Sequence, residues 1–510
     1  MLFQKPKLVA LIATFLLGVI AVTAQANSEI SGTGIKLTIK EDLIESLKSK
    51  FLPEILTKLS NYTIADQKFI LNLKITKLNL AFKNIVIALN TTTITDENFQ
   101  VTFTDPNKIS LEISGIKGSI SFEEFFDLGF LKEQSKVNAD IYSFEIKIDL
   151  TLDQIASKQA KGKMLPLITL QNISVNSDFN YNLQGNWLVR IGNNKLIKGL
   201  VKKIIKSQIN KMLSGSLKKK INESISITIA NFPVNAIIDG KTLALDYEII
   251  SSPKIQNGKF FSLNSKALLF NTEIPQTLNP PFNLTADIPD FSDSGKSLEL
   301  LISDYTVNSA LYTLWLSGFL KINIDNSILP PEFPVKLNTT GLDILFNGVS
   351  AKYGADKPIE ISVAMVENPV IKFSQENIDF NVNFECKVYV FINETEKEQA
   401  YRFKFTLDAS TKLAVSENGH ANVNVNYALL KNSLMIETTV EETYIENIEN
   451  WINFASNVGL SYVNKNYLND LKIDIPVFKG VDLNNSTVVV KDNYLNLHIT
   501  PKVDALKFLN

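Results

Sequence analysis

Hydrophobic and polar positions along the chain run twice through one series: an apolar stripe at helical spacing, a succession of alternating strands, then a second helical stripe. The first round spans about residues 40 to 229 and the second about 304 to 471. Ile35, Leu37 and Ile39 predict a short strand, and Thr38 with Glu41 three residues on resembles a capping box that opens a helix. Leu43, Leu47, Phe51, Ile55 and Leu59 continue it, with a kink or a restart at Pro53. Alternation follows through Leu71, Leu73 and Ile75. Its phase slips to Leu78, Leu80 and Phe82 and again to Ile85, Ile87 and Leu89, which predicts bulges or turns. Further strands are predicted at Ile109 to Ile113 and at Phe144 to Leu152, the latter with one dry face. The round closes on a stripe of Leu196, Leu200, Ile204, Ile209, Leu213 and Leu217, with Lys198, Lys202, Lys203, Lys206 and Lys211 around it. A core-packing helix with a solvated lysine face fits this pattern. So does a helix lying on anionic membrane.

Asn257-Gly258 predicts a hairpin turn, and Asn279-Pro280-Pro281-Phe282 predicts a linker that is neither helix nor central strand. The second round opens with a helix from about Asp304, where Leu311, Trp315 and Phe319, with Leu314 beside them, give the apolar side. Strands resume at Ile359, Ile361 and Val363. They continue through Phe380 to Val390, Phe403 to Leu407 and Val423 to Tyr427. Thr443 and Glu446 form a second capping-box pattern before a helix bearing Ile445, Ile448, Ile452, Phe454 and Val458. A last strand pair runs from Val488 to Ile499 around a turn at Asp492-Asn493.

Composition narrows the class. At 510 residues, 45% hydrophobic and 20% charged, the chain can fill at least two cores. Lys5 and Lys7 ahead of the apolar run Leu8 to Val22, then Ala24-Gln25-Ala26, read as a cleaved secretory signal with a new start at Asn27. A membrane anchor fits less well, since the run is short for a bilayer. The single cysteine, Cys386, alternates with apolar neighbours and reads as a small buried hydrophobe, so an exported chain must be stabilised by core size instead of disulfides. Asn61, Asn90, Asn172, Asn222, Asn283, Asn338, Asn393, Asn484 and Asn485 each begin a glycosylation triplet. Residues 27 to 250 carry a net charge of about +5 and residues 251 to 510 about −9. That asymmetry suits contact with anionic lipid better than with nucleic acid.

Catalytic patterns are sparse. His420 and His498 are the only histidines, and His498 shares a predicted strand face with Tyr494 and Asn496, which leaves a zinc site unsupported. Gly-x-Ser-x-Gly, Walker and dinucleotide patterns are missing. A carboxylate pair stays open, since 53 acidic residues are available. The expectation is a binding protein without enzymatic activity, metal or cofactor.

The order of elements resembles the family of bactericidal/permeability-increasing protein, lipopolysaccharide-binding protein and the plasma lipid transfer proteins. Leu301-Ile302-Ser303-Asp304-Tyr305, with Asn308-Ser309-Ala310 and Gly318-Phe319-Leu320-Lys321 after it, is similar to the stretch opening that family's second barrel. Gly185, Trp187, Leu188 and the lysine-bearing helix resemble the end of its first barrel, and Asn279 to Phe282 its proline-rich linker. The resemblance implies an α+β fold of two pseudo-symmetric elongated antiparallel β-barrels. Each would be plugged by two amphipathic helices, and a central sheet would join them in a boomerang shape. Residues 1–26 would then be the signal, 27–250 the first lipid-binding barrel, 251–290 central-sheet strands and linker, and 291–510 the second barrel. Two departures stand out: no second cysteine exists for the disulfide typical of animal members, and the strongly cationic first domain of the bactericidal member is missing.

Each unit is expected to hold one phospholipid-sized apolar pocket. Leu43, Leu47, Phe51, Leu200 and Ile204 would line the first, and Leu311, Trp315, Ile448 and Ile452 the second, although plain core packing explains each equally well. Lys158, Lys161 and Lys163 lie in a polar break and resemble by position the basic tip of the first barrel, where they would meet phosphate head groups or simply confer solubility. Removing ~30 methylenes from water is worth roughly 24 kcal/mol, which a bilayer also supplies, so such a pocket can exchange its ligand. The expected function is binding and transfer of amphipathic lipids, phospholipid or lipopolysaccharide-like, between membranes or microbial surfaces, in the extracellular space or the lumen of the secretory or vacuolar system. A host-defence effector that damages Gram-negative envelopes is the alternative, and a structural or adhesive secreted protein the third.

Overall fold

The computed structural model describes residues 33–43, most of 61–180, scattered helical positions within 203–222, residues 235–237, and most of 242–283. It also describes 288–289, 297–327, most of 335–440, 449–450, 473–474, 481–482, 487–499 and 502–503.

The chain first forms β1 (Ile35–Lys40), β2 (Asn61–Ile64), β3 (Gln67–Asn72), β4 (Lys77–Asn90) and β5 (Phe99–Thr104). Three long strands follow: β6 (Lys108–Asp127), β7 (Lys132–Ala156) and β8 (Met164–Asn180). Short strands occupy the middle: β9 (Asn235–Ile237), β10 (Leu243–Asp246), β11 (Lys254–Gln256), β12 (Phe260–Ser265), β13 (Leu268–Asn271) and β14 (Leu298–Ser303). Helix α1 (Asp304–Leu316) leads to β15 (Lys321–Ile324), then to two single-turn helices, α2 (Thr339–Asp343) and α3 (Val349–Tyr353). The second strand-rich stretch comprises β16 (Ile359–Met365), β17 (Val370–Ser374), β18 (Asn377–Phe391), β19 (Lys397–Val415) and β20 (His420–Thr438). It ends with β21 (Ile473–Asp474), β22 (Val481–Asp482), β23 (Thr487–Lys491), β24 (Tyr494–Ile499) and β25 (Lys502–Val503).

These strands build two seven-stranded antiparallel sheets. One runs β2-β4-β6-β7-β8, with β3 on β4 and β5 on β6; the other runs β15-β16-β18-β19-β20-β21, with β17 on β18. Among the described residues both sheets are open, so the closed barrels expected from the sequence are not formed by these pairings. The described residues are mostly sheet with few helices. The second phase slip in β4 is a bulge, where Asn84 takes φ 52 and the register against β6 steps between Lys83 and Val86. It keeps Phe82 before it and Ile85, Ile87 and Leu89 after it buried.

A third sheet joins the two ends of the chain, in the order β11-β12-β1-β14-β24-β23. Its β11–β12 turn is the predicted Asn257-Gly258, both residues at positive φ (58 and 61), the dihedrals that a tight hairpin needs. One face is apolar, with Leu37, Leu263, Leu300 and Leu497 in one cross-strand row. The opposite face carries Lys36, Thr38, Ser262, Glu299 and Asn496, and these are buried too. Part of the cover is visible, since Lys36 Nζ donates to the Pro289 carbonyl at 3.0 Å. Gly34, just before β1, admits no side chain: a Cβ there would lie 1.8 Å from the Lys266 carbonyl oxygen.

Cys386 is fully buried in β18, as its alternation predicts, and burial raises its thiol pKa, which keeps it protonated.

Candidate functional site

Helix α1 is held in an unexpected way. Ser303 caps it, accepting from the Thr306 amide, and donates its own hydroxyl to the Gly34 carbonyl at 2.8 Å. The buried side of the helix is then polar: Asn308, Ser309 and Thr313, together with Tyr305. Asn308 acts as an extra strand residue for β17. Its Nδ2 donates to the Ile371 carbonyl (3.0 Å), and its Oδ1 accepts from the Ile371 amide (2.8 Å). Ser309 Oγ accepts from the Leu269 amide (3.1 Å) and Thr313 Oγ1 donates to the Leu269 carbonyl (2.9 Å), which does the same for β13. Buried strand edges leave amides and carbonyls that must find partners, and here helix side chains supply them.

At 100° per residue, Val307, Ala310, Leu311 and Leu314 lie roughly half a turn away from that polar seam. All four are only half-buried. The sequence predicted Leu311, Trp315 and Phe319 as the apolar side of the helix; none of them is buried, and Phe319 falls beyond the helix and is 60% exposed. The polar demands of two sheet edges, not apolar packing, set the rotation of this helix. Apolar surface is thereby left over.

The last turn of the helix reaches the second sheet through Trp315. Trp315 Nε1 donates to the Met365 carbonyl (3.1 Å), and Met365 is the cross-strand partner of Phe384. Phe384 stacks on Phe405 at 5.1 Å, and Phe384, Val363, Leu407, Leu430 and Met435 are partly buried. Further along, the same face is solid. Leu342, Phe346 and Val349 of the α2 and α3 region close over Cys386, Val388, Tyr401 and Phe403, with Phe346 stacked on Tyr401 at 4.9 Å. The face therefore grades from a packed end to an incompletely covered one beside α1.

The first half uses the same fastening. Described positions within 203–222 are helical, and three of them, four residues apart, bind β8. Lys206 pairs with Asp178 (2.8 Å), Asn210 accepts from the buried Ser177 hydroxyl (2.5 Å), and Ser214 accepts from the Val175 amide (3.1 Å). Of the predicted lysine face, Lys203 and Lys211 are exposed and Lys206 is half-buried; Lys218 and Lys219 further on are exposed too. Beneath, the first sheet presents a continuous buried apolar face that includes Phe122, Phe144, Ile146 and Ile148. Leu43 is buried at the start of the helix after β1. Leu47, Phe51, Leu200, Ile204, Ile448 and Ile452 lie outside the described residues. So do Lys158, Lys161 and Lys163, which fall in the connection between β7 and β8.

Sequence reasoning missed Asn308, Ser309, Thr313, Asn210 and Ser214, because it assigned the polar side of each helix to solvent. Their signal was the interruption of a lysine or apolar surface by short uncharged donors and acceptors. Behind α1, burial pushes the Tyr305 phenol above its ordinary range, reinforced by Asp246 and Glu248, which Lys266 approaches at 4.0 and 3.6 Å. The proline-rich segment docks here as well, with Phe282 edge-on to Tyr305 (5.9 Å) and Tyr312 (6.1 Å). Among the described residues no three His, Cys, Asp or Glu side chains gather as a metal site.

Fold and site together define a two-part β protein, its halves joined by a shared sheet, with helices bound to sheet edges by polar side chains and apolar surface left beside them. Residues 236–502 match the family model described as "LBP / BPI / CETP family, C-terminal domain". The chain belongs to that family. It is similar to the lipopolysaccharide-binding proteins of Rattus norvegicus (24% identical over 350 residues, 64% of this chain and 69% of the relative) and Mus musculus (23% over 365 residues, 65% and 71%). A bactericidal permeability-increasing protein of Sebastes schlegelii is 24% identical over 174 residues, covering 34% of this chain and 35% of the relative. The crystal structure of lipopolysaccharide binding protein aligns with a TM-score of 0.48 at 19% identity, covering 92% of this chain and 99% of that one.

Proposed function

We propose that the protein binds amphipathic lipids at apolar sites in its two halves and carries them between surfaces outside the cytosol. The observation that carries this is α1: its buried side is polar, while its apolar stripe, from Val307 to Leu314, is only half-buried, and the second sheet's apolar face is itself only partly buried at Phe384, Leu407 and Leu430. A helix that served only as core would spend its leucines on packing. Membership in the family supports the same reading, and relatives named for lipopolysaccharide binding make a lipopolysaccharide-like ligand a natural candidate beside phospholipid. Leu311 and Trp315, with Ile448 and Ile452, form the proposed second pocket. Leu43, Leu47, Phe51, Leu200 and Ile204 form the first. Lys158, Lys161 and Lys163 are proposed to meet head groups, at ~1 kcal/mol per lysine near an anionic surface. The reading involves no catalysis and no cofactor beyond bound lipid. Export rests on the N-terminal signal pattern, and no described helix is long and apolar enough to cross a membrane.

Native mass spectrometry of the protein purified from its own source tests the proposal. Lipid-mass adducts are expected, diminished in a Leu311→Gln, Leu314→Gln double variant. Protein that is empty, and that takes up no labelled phospholipid or lipopolysaccharide from vesicles, would sink it. A host-defence role is the second reading, favoured by the relative named as bactericidal permeability-increasing. Killing of Gram-negative cells that is lost when Lys158, Lys161 and Lys163 become Glu would select it.

A further inference from the structure

We propose that Asn393 carries an N-linked glycan, placed at the end of the second sheet that α2 and α3 close. The proposal rests on export of the chain. Of the triplets predicted from sequence, Asn338 is half-buried and works as a structural group: its Oδ1 accepts from the Gly341 amide to cap α2, and its Nδ2 donates to Asp356. Asn90, Asn172 and Asn222 are exposed but belong to strands or helix, not to a turn. Asn393 is exposed at the turn between β18 and β19, where Glu394, Thr395 and Glu396 are exposed too.

The side chain at that turn is already arranged for substitution. Asn393 Oδ1 accepts from the Thr395 amide (3.0 Å), the Thr395 hydroxyl (3.2 Å) and the Glu396 amide (2.8 Å), so the oxygen faces its own loop. Its Nδ2 donates one hydrogen to Glu396 Oε2 (3.1 Å), and the second hydrogen has no partner among these contacts. A sugar replacing that hydrogen leaves every one of these bonds intact. In the transfer step the amide nitrogen bonds to the anomeric carbon of an oligosaccharide donor. The donor's bond from that carbon to a lipid-linked diphosphate breaks, the lipid diphosphate departs, and the displaced amide proton passes to a base of the transferase. The consequence is local: the turn abuts the packed end, where the Phe391 amide bonds the Pro358 carbonyl and Lys357 bonds the Ile392 carbonyl. A glycan there makes that end hydrophilic and leaves the α1 side bare.

The test uses the full-length chain secreted from a eukaryotic host. Peptide N-glycosidase digestion in heavy-oxygen water marks each formerly glycosylated Asn as labelled Asp, read by peptide mass spectrometry. Labelling of Asn393 is expected, and Thr395→Ala should abolish it while other labelled positions persist. A secreted chain labelled at Asn172 or Asn283 but bare at Asn393 overturns the proposal and leaves export standing, as does a secreted chain bare throughout. A chain retained in the cytosol without sugar overturns both.

Discussion

Single residues separate what holds this protein together from what it leaves available. Asn308 and Leu311 sit one turn apart on α1 with opposite duties. Replacing Asn308 by Ala removes two hydrogen bonds and leaves the Ile371 amide and carbonyl without these partners in a part-buried setting, a loss of about 1 to 3 kcal/mol in denaturant unfolding. Leu311→Gln, at a half-buried position, should change stability by about 1 kcal/mol or less yet reduce lipid loading. Equal losses of stability in the two variants would mean that the apolar stripe is ordinary core. Acid response is also set at residue scale. Burial acts to raise the Glu385 carboxyl, but hydrogen bonds from Arg402 and Lys387 outweigh it and hold it below its usual range. A carboxylate depressed in the folded state contributes stability above its unfolded value of roughly 4.3, and the contribution is lost as pH falls through the lower folded value. Glu385→Gln should therefore be less stable than the parent at pH ~6, and the gap should narrow toward pH ~3. A gap that widens in acid would contradict the assigned direction.

At the scale of elements, the first sheet is tied to the central sheet through two turns. Asp105, between β5 and β6, accepts from the Asn257 amide (3.2 Å) and the Gly258 amide (2.9 Å), and the Ile255 amide donates to the Pro106 carbonyl (2.5 Å). Gly258→Val would force a β-branched residue to φ 61, with its Cβ 3.3 Å from the Phe103 carbonyl oxygen. We expect a cost of about 1 to 2 kcal/mol and faster amide exchange across 254–265, whereas unchanged exchange would show that the joint is dispensable. The Asn257-Gly258 turn was legible in the sequence because its chemistry is local, and so were the β4 bulge and the Asp492-Asn493 turn, where Asn493 takes φ 72. The rotation of α1 was not legible. Which side of a helix is buried depends on which strand edges it meets, and Leu269 and Ile371 lie 40 and 63 residues from their helix partners Ser309 and Asn308. The polar but buried face of the central sheet was hidden for the same reason: alternation in β1 marks Lys36 and Thr38 as outward, and only the tertiary cover reverses that.

For the molecule as a whole, the central sheet decides whether the halves are separable. Strand β1, near the start of the described residues, lies between β12 and β14. β14 in turn pairs along its full length with β24, near the other end. Residues 35–40 and 494–499 thus belong to one sheet through a single intervening strand. The proline-rich stretch adds contacts to this frame through Phe282 on Tyr305 and Pro289 on Lys36, but the pairing of β1 with β14 does not pass through it. Cutting the chain beside the exposed Asn283 should therefore leave the two fragments bound to each other. A five-pair register on an almost wholly buried strand, with Leu37, Ile39, Leu298 and Leu300 within it, has to be exposed before they part. With a protease site inserted after Asn283, cleaved protein should elute in gel filtration at the position of the intact chain and resolve into two peaks only in denaturant. Fragments that separate in native buffer would show that the shared sheet is too weak to unite the halves.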